Sequence, residues 1–111
     1  MAYAILESEN FRSDLEEAAM WLYIHNLEQS QNFADRKLLD LENEIENLKT
    51  HLTSTPSIGQ EDESSILRRL PVYDGRYLVT WITNEKSQTV TLLALIDSKY
   101  PRKLREFSFD G

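Results

Sequence analysis

The residues of this 111-residue chain best suited to bind a phosphate group are two arginines, Arg69 and Arg76. A guanidinium group is permanently charged, and its donors form a fork that matches phosphate oxygens. Groups that transfer protons are harder to find, because His25 and His51 fall in segments predicted as helices, outside the predicted sheet. We expect both to be helix-surface or core-edge residues rather than catalysts. The chain has no cysteine, which excludes disulfides, thiol nucleophiles and thiolate metal sites.

Both arginines belong to the stretch Ile66–Ile96, whose composition is typical of an antiparallel meander. Three runs rich in β-branched, aromatic and other apolar residues predict strands over Ile66–Tyr73, Arg76–Thr83 and Gln88–Ile96. The first two runs are separated by Asp74-Gly75, and both residue types tolerate the positive φ of a tight hairpin turn. We expect the three strands to pair in chain order.

Side chains alternate between the two faces of a strand. In the middle strand this places Tyr77, Val79 and Trp81 on one face, and Arg76, Leu78, Thr80 and Ile82 on the other. The aromatic face needs a cover, which must come from residues 10–55. We expect Arg76 to lie on the opposite, open face and to act there; the alternative is a cross-strand ion pair. The neighbours Arg68 and Arg69 must face opposite ways, so that one joins the open face while the other can pair with an acidic helix residue.

Length, composition and charge indicate which classes of protein this chain can belong to. A chain of 111 residues with 41% hydrophobic residues is expected to form one folded domain over residues 1–111. The net charge of -7 is unevenly distributed: residues 1–65 hold 14 acidic and 4 basic residues, whereas residues 66–111 hold 5 acidic and 8 basic ones. The acidic half argues against strong nonspecific binding to nucleic acid. No segment resembles a signal peptide or a membrane span, so we expect a cytoplasmic protein.

The N-terminal half is predicted to hold one strand and a first helix. Ala2–Glu7 is a short apolar run that could add a strand to the meander. Asn10 or Ser8 offers a helix N-cap, and acidic residues follow where the helix dipole favours them. Apolar residues then recur at helical spacing, namely Phe11, Leu15, Ala18, Ala19, Leu22 and Leu27, with Met20, Trp21, Tyr23 and Ile24 widening the stripe. Such a broad stripe predicts a helix between the sheet and another element.

The second helix has the clearest periodicity in the chain. Its apolar residues step by three or four positions: Ala34, Leu38, Leu41, Ile45, Leu48 and Leu52. This narrow stripe predicts an antiparallel hairpin with the first helix. A dimeric coiled coil is the alternative, but fewer than three heptads favour the hairpin.

The segments after the helices complete the predicted fold. Thr53–Ser65 has the composition of a loop, and Arg102–Gly111 that of a short strand or a loose tail. We expect an α+β domain with the order β-α-α-β-β-β: an N-terminal strand, an antiparallel helical hairpin and a three-stranded antiparallel meander, with the helices covering one face of the sheet.

With this order of elements the chain resembles the RelE/ParE superfamily of bacterial type II toxins, also known as plasmid-stabilisation proteins. The resemblance covers nearly the whole chain and rests on the order and spacing of several short motifs. These are Asp14-Leu15, Tyr23-Ile24, Ser30 with Ala34, Leu48 with Pro56-Ser57-Ile58-Gly59, Leu67-Arg68-Arg69-Leu70, Gly75–Trp81 and Val90–Ile96.

The resemblance implies a toxin that a cognate antitoxin neutralises, with no cofactor, metal, membrane or small-molecule substrate. Members similar to RelE cleave mRNA on the ribosome with basic and aromatic residues of the open sheet face. Members similar to ParE poison DNA gyrase by binding it, and they share the longer helical hairpin and the Pro-x-x-Gly exit seen here at 56–59.

The ParE-like branch is the favoured interpretation. The lysine pair that precedes the central arginine in RelE is absent, and the histidines lie outside the sheet. The chain is also acidic overall, unlike a ribosome-binding enzyme, which needs a cationic surface. The resemblance then implies partner-binding residues Arg76, Leu78, Ile82, Lys99 and Arg102. If the chain is instead a ribonuclease, the implied catalytic residues are Arg69, Arg76, Lys99 and Tyr100. A third possibility is an inactive interaction module that retains the fold.

Overall fold

A computed structural model describes residues 2–56, 60–61 and 67–98 of the chain. The elements in chain order are β1 Ala4–Glu7, α1 Glu9–Asn26, α2 Gln31–Ser54, β2 Gln60–Glu61, β3 Leu67–Val72, β4 Tyr77–Asn84 and β5 Thr89–Asp97. The predicted order of strand, two helices and three strands is confirmed. The prediction of a plain loop over Thr53–Ser65 is wrong, because α2 continues to Ser54 and β2 pairs with β3.

The strands form one mixed sheet with the order β1-β5-β4-β3-β2. β3 pairs antiparallel with β4, and β4 with β5, which confirms the predicted meander. β1 joins the other side of β5 in parallel, so the sheet is not purely antiparallel. A parallel pair needs a long connection, and here two helices and three strands separate β1 from β5 in the chain.

The predicted turn at Asp74-Gly75 is present. The Arg76 N–H donates to the Tyr73 carbonyl oxygen at 3.0 Å, which places Asp74 and Gly75 at the two central positions. Their φ angles are +55° and +80°. A two-residue turn with positive φ at both positions matches the twist of the flanking strands. This turn fixes the register in which Val72 lies opposite Tyr77.

The helical hairpin covers the predicted aromatic face of the sheet. Tyr77, Val79 and Trp81 are buried and pack in one cluster with residues of both helices. The α2 stripe provides Leu41, Ile45, Leu48 and Leu52, each at most 4% exposed. The Trp81 indole N–H donates to the Pro56 carbonyl oxygen at 3.1 Å, so its one polar atom is paired. Contact between α1 and α2 within the chain confirms the hairpin.

The apolar stripe of α1 is narrower than its sequence suggests. The helix contacts both α2 and β5, as expected of an element between two others, and it buries Phe11, Ala18 and Leu22. Met20 and Ile24, however, are 64% and 55% exposed. One helix cannot turn residues from its whole circumference toward two neighbours, so the side away from both stays in solvent.

The start of α1 is attached to an irregularity in β5. Leu93 is an extra residue, because Thr80 lies opposite Ala94 while Trp81 lies opposite Leu92. The Ser8 hydroxyl donates to the Leu93 carbonyl oxygen at 3.1 Å. Further along α1, an Asp14 carboxylate oxygen accepts from the Leu95 N–H at 3.1 Å. β1 pairs with β5 only as far as Leu92, and α1 thus satisfies backbone groups of β5 beyond that point. Over the described residues, neither helix is long and apolar enough to span a membrane.

Candidate functional site

Arg76 does not lie free on the open face of the sheet. Its Nε donates to Asp97 Oδ1 at 3.0 Å and its Nη2 to Asp97 Oδ2 at 3.1 Å. The side chains of Arg76 and Asp97 are only 16% and 21% exposed. Two parallel hydrogen bonds between a guanidinium and a carboxylate form the strongest common geometry for such a pair. The alternative predicted for Arg76, a cross-strand ion pair, is therefore the one found.

Aromatic side chains enclose this ion pair. The Arg76 guanidinium carbon lies 4.5 Å from the ring centre of Trp21 and 5.5 Å from that of Tyr77. Trp21 also stacks on His25, with ring centres 3.7 Å apart. Because Trp21 belongs to α1, Arg76 is held on the helix side of the sheet. Cation–π contact on a partly buried guanidinium adds to the ion pair.

The expected placement of Arg76 is wrong for a local reason. Side-chain alternation applies to residues within a strand, but β4 begins at Tyr77 and Arg76 belongs to the turn. Asp97 lies directly opposite Tyr77 in the ladder, and therefore on the helix side. The turn lets Arg76 reach that side as well. Nothing in the sequence identified Asp97 as the partner of Arg76.

The sheet face away from the helices carries Arg69, and it is not fully open, because Ala94 and Ile96 of β5 lie on it and are only 1% and 2% exposed. In the β3–β4 ladder, Arg69 lies opposite Thr80 on the face away from the helices, whereas Arg68 lies opposite Trp81 on the helix face. The predicted division of the two neighbouring arginines is confirmed. Within the described part of the chain, Arg69 has no carboxylate at ion-pair distance. It is half-buried, as are Leu78 and Ile82 on the same face.

The remaining predicted site residues divide into two groups. Lys99, Tyr100 and Arg102 lie outside the described residues. His25 and His51 are exposed on α1 and α2, away from the open face, as predicted. His25 Nδ1 lies 2.9 Å from the Trp21 carbonyl oxygen, an arrangement within one helix. Across the described ranges, no three His, Asp or Glu side chains are placed to hold a metal ion.

A second feature is an acidic cleft of about 310 Å³ between α2 and the β3–β4 turn. The sequence did not indicate it. Its lining residues are Lys37, Asp40, Asn43, Glu44, Tyr73 and Asp74. A Glu44 carboxylate oxygen accepts from the Tyr73 N–H at 2.9 Å and so ties the turn to α2. Burial, followed by the charges of Asp40, Glu44 and Asp74, raises the pKa of the Tyr73 phenol. Burial likewise raises the pKa of Tyr77, against the opposing charge of Arg76.

Known structures share this fold. No protein-family model and no curated protein sequence matches the chain. A chain of the chromosomal ParDE toxin–antitoxin system from P. aeruginosa superposes with a TM-score of 0.61 at 12% identity, covering 86% of this chain and 96% of that one. The RelBE2 toxin–antitoxin complex from Mycobacterium tuberculosis gives 0.55 at 15% identity, with 87% and 99% covered.

A third similar structure is a mutant of the E. coli toxin RelE in the free state. Its TM-score is 0.58 at 10% identity, and the superposition covers 97% of this chain and 96% of that chain. Coverage of nearly the whole length in all three comparisons means that the strand, the helical hairpin and the meander correspond together. The chain therefore has the fold of the RelE and ParE toxins.

Proposed function

We propose that this protein is the toxin of a type II toxin–antitoxin module, that it inhibits DNA gyrase by binding it in the bacterial cytoplasm, and that a cognate antitoxin neutralises it. The observation that carries the choice of target is the Arg76–Asp97 ion pair. It supports a protein that acts by binding rather than by cutting RNA.

The ion pair weakens the case for a ribonuclease. Cleavage of RNA without a metal needs positive charge placed on the phosphate as it reacts. Asp97 balances the charge of the Arg76 guanidinium and occupies its Nε and Nη2 donors. Arg76 therefore places little net positive charge on a phosphate. Arg76 instead joins β5 to the turn before β4 and supports α1 through Trp21.

The composition of the sheet face away from the helices supports binding of a protein. Leu78 and Ile82 are half-buried apolar residues there, and Arg69 lies one strand away. Arginine with apolar neighbours is a common composition for the centre of a protein–protein interface. The overall charge of -7 is unfavourable for a surface that must bind ribosomal RNA.

A ribosome-dependent endoribonuclease is the second candidate, and Arg69 is the observation that favours it. Arg69 lies on the face away from the helices with no carboxylate at ion-pair distance among the described residues, and the family resemblance implies Lys99 and Tyr100 as the further catalytic residues. An inactive module that keeps the fold and still binds an antitoxin is the third candidate.

Two assays of the purified protein separate the three candidates. We expect inhibition of DNA supercoiling by gyrase and no effect on translation in a cell-free system. Inhibition of translation alone, with discrete mRNA cleavage products, would overturn the proposal in favour of the ribonuclease. Inhibition of neither reaction would favour the inactive module.

A matched pair of variants sharpens the result. Arg69→Ala removes the available arginine of the open face, whereas Arg12→Ala removes an exposed arginine of α1. A ribonuclease should lose cleavage in the first variant and keep it in the second. Co-expression with the product of the neighbouring reading frame tests the antitoxin: it should restore growth and co-purify with the chain.

A further inference from the structure

We infer that an exposed apolar stripe on α1, formed by Met20, Ile24 and Leu27, is the docking surface for a cationic amphipathic helix of a partner protein. The three side chains are 64%, 55% and 42% exposed. The inference goes beyond the proposed function, because it assigns a surface on the helical hairpin, separate from the sheet, whatever the target of the toxin is.

The three side chains form one surface. Positions four and seven residues apart lie on the same face of a helix. Leu27 continues the helical geometry past the end of α1, because its N–H donates to the Tyr23 carbonyl oxygen at 3.0 Å. Five large apolar side chains are exposed in the described part of the chain, and three of them belong to this stripe. Single exposed apolar residues are normal, whereas an aligned group with a polar rim is typical of an interaction site.

Acidic residues lie at both ends of the stripe. Glu16 and Glu17 precede Met20 by four and three positions and therefore share its face, and Glu28 follows Ile24 by four. All three glutamates are exposed. A partner that covers the apolar side chains therefore meets negative charge at each end of the contact.

The basic groups of α1 leave this negative charge in place. Arg12 lies 3.6 Å from the Glu7 carboxylate, and His25 stacks on Trp21. Residues 1–65 as a whole hold 14 acidic and 4 basic residues. Charge complementarity across an interface favours correct partners and excludes partners of like charge. The occupant of this stripe must therefore bring lysine or arginine beside its apolar side chains.

Charge and geometry together favour a helix of another protein. A second copy of α1 would bring acidic ends against acidic ends in either direction of packing. An extended strand needs hydrogen-bond partners from a sheet edge, which the side of a helix does not provide. A helix satisfies its own backbone, and its side chains can pack into the grooves beside this stripe. The occupant is therefore a helix with apolar residues three or four positions apart and cations beside them.

The test is an NMR titration of the full chain with a synthetic peptide of about 18 residues, long enough to form a helix, with leucine along one face and lysine elsewhere. We expect saturable shifts of the Met20, Ile24 and Leu27 methyl signals, with an affinity that falls as salt is added. Two control peptides, one with glutamate in place of lysine and one with serine in place of leucine, should bind about tenfold more weakly or less. Equal binding of either control, or shifts confined to other residues, would overturn the inference.

Variants locate the docking surface. Ile24→Lys and, separately, Met20→Lys place a cation in the stripe, so we expect each to abolish saturable binding while circular dichroism shows an intact fold. Leu6→Lys is the matched control and should bind as the parent does. Leu6 is 50% exposed on β1, and its neighbour Ile5 packs against the core on the helix side, so Leu6 lies on the other side of the sheet.

Two results would contradict this assignment. Loss of binding in Leu6→Lys as well would mean that an added cation repels the peptide from anywhere on the protein. A dimer of the free chain, seen by sedimentation and dissociated by Ile24→Lys, would assign the stripe to a second copy of the chain. Because neither experiment uses gyrase or ribosomes, the result is independent of the proposed target.

Discussion

The Arg76 guanidinium binds both oxygens of the Asp97 carboxylate, which joins the turn before β4 to the end of β5. Trp21 of α1 covers the guanidinium, so one ion pair connects three parts of the fold. The arginine that the sequence suggests as a functional residue is thus committed to the structure.

Arg76→Ala should therefore destabilise the protein. The substitution removes the guanidinium from the half-buried Asp97 carboxylate and the cation from the Trp21 ring. We expect a loss of about 1–3 kcal/mol in the free energy of unfolding, measured by urea denaturation, the range reflecting the partial exposure of the pair. Arg12→Ala is the control, because Arg12 is 65% exposed and its contact with Glu7 is 3.6 Å long. That variant should lose no more than about 1 kcal/mol. Equal losses in the two variants would mean that the Arg76–Asp97 ion pair stabilises the fold no more than the exposed Arg12–Glu7 pair does.

The position of Arg76 shows which structural features sequence periodicity predicts and which it does not. Periodicity predicted the α2 stripe and the buried face of β4, because each depends on repeating local geometry. Arg76 lies in a turn, where the alternation of strand side chains does not apply, and its position also depends on Asp97, which is 21 residues away. The short strand β2 was missed for a similar reason: its two residues, Gln60 and Glu61, gain strand structure only by pairing with β3.

In the candidate site, too, the sequence predicted features set by local strand geometry but not those set by long-range packing. The opposite orientations of Arg68 and Arg69 followed from the strand geometry alone. The acidic cleft did not, because it brings residues of α2 beside a turn about 30 positions later in the chain. Long-range packing of this kind leaves no periodic signal in one sequence.

Replacement of a stripe residue in α2 should test the hairpin directly. Leu41 is fully buried, whereas Leu39, two positions earlier, is 54% exposed on the same helix. Leu41→Ala removes buried methyl groups and leaves a cavity, so we expect a loss of about 2–5 kcal/mol in the free energy of unfolding by urea denaturation. Leu39→Ala keeps the same helix propensity change and should lose no more than about 0.5 kcal/mol. Similar losses at both positions would contradict the packing of α2 on the sheet.

Stability should fall in alkaline solution because of two tyrosines. Burial is the largest cause that raises the pKa of Tyr73 and of Tyr77 in the folded protein. In the unfolded chain a tyrosine ionises near pH 10. Their contribution to stability is complete below that pH and is lost as the pH rises through the higher folded values, because the unfolded state then releases protons more readily.

Urea denaturation between pH 8 and pH 11 measures this loss. The Tyr73→Phe/Tyr77→Phe double variant should lose less stability above pH 10 than the parent protein does, since phenylalanine has no proton to release. Tyr23→Phe, on α1, serves as the control for removing a phenol elsewhere. A double variant with the same alkaline slope as the parent would show that other groups cause the loss.

The two helix caps of this chain allow a final comparison. Ser8 and Ser30 each accept a hydrogen bond from a backbone N–H three residues later, both at 3.0 Å. Only Ser8 also donates to the bulge of β5, through the Leu93 carbonyl oxygen. Ser30→Ala should cost about 1 kcal/mol in the free energy of unfolding, the usual value for a cap. Ser8→Ala should cost about 1 kcal/mol more, because it leaves a part-buried carbonyl without its donor. Thermal and urea denaturation of the two variants side by side measure the difference, and equal losses would mean that Ser8 serves α1 alone.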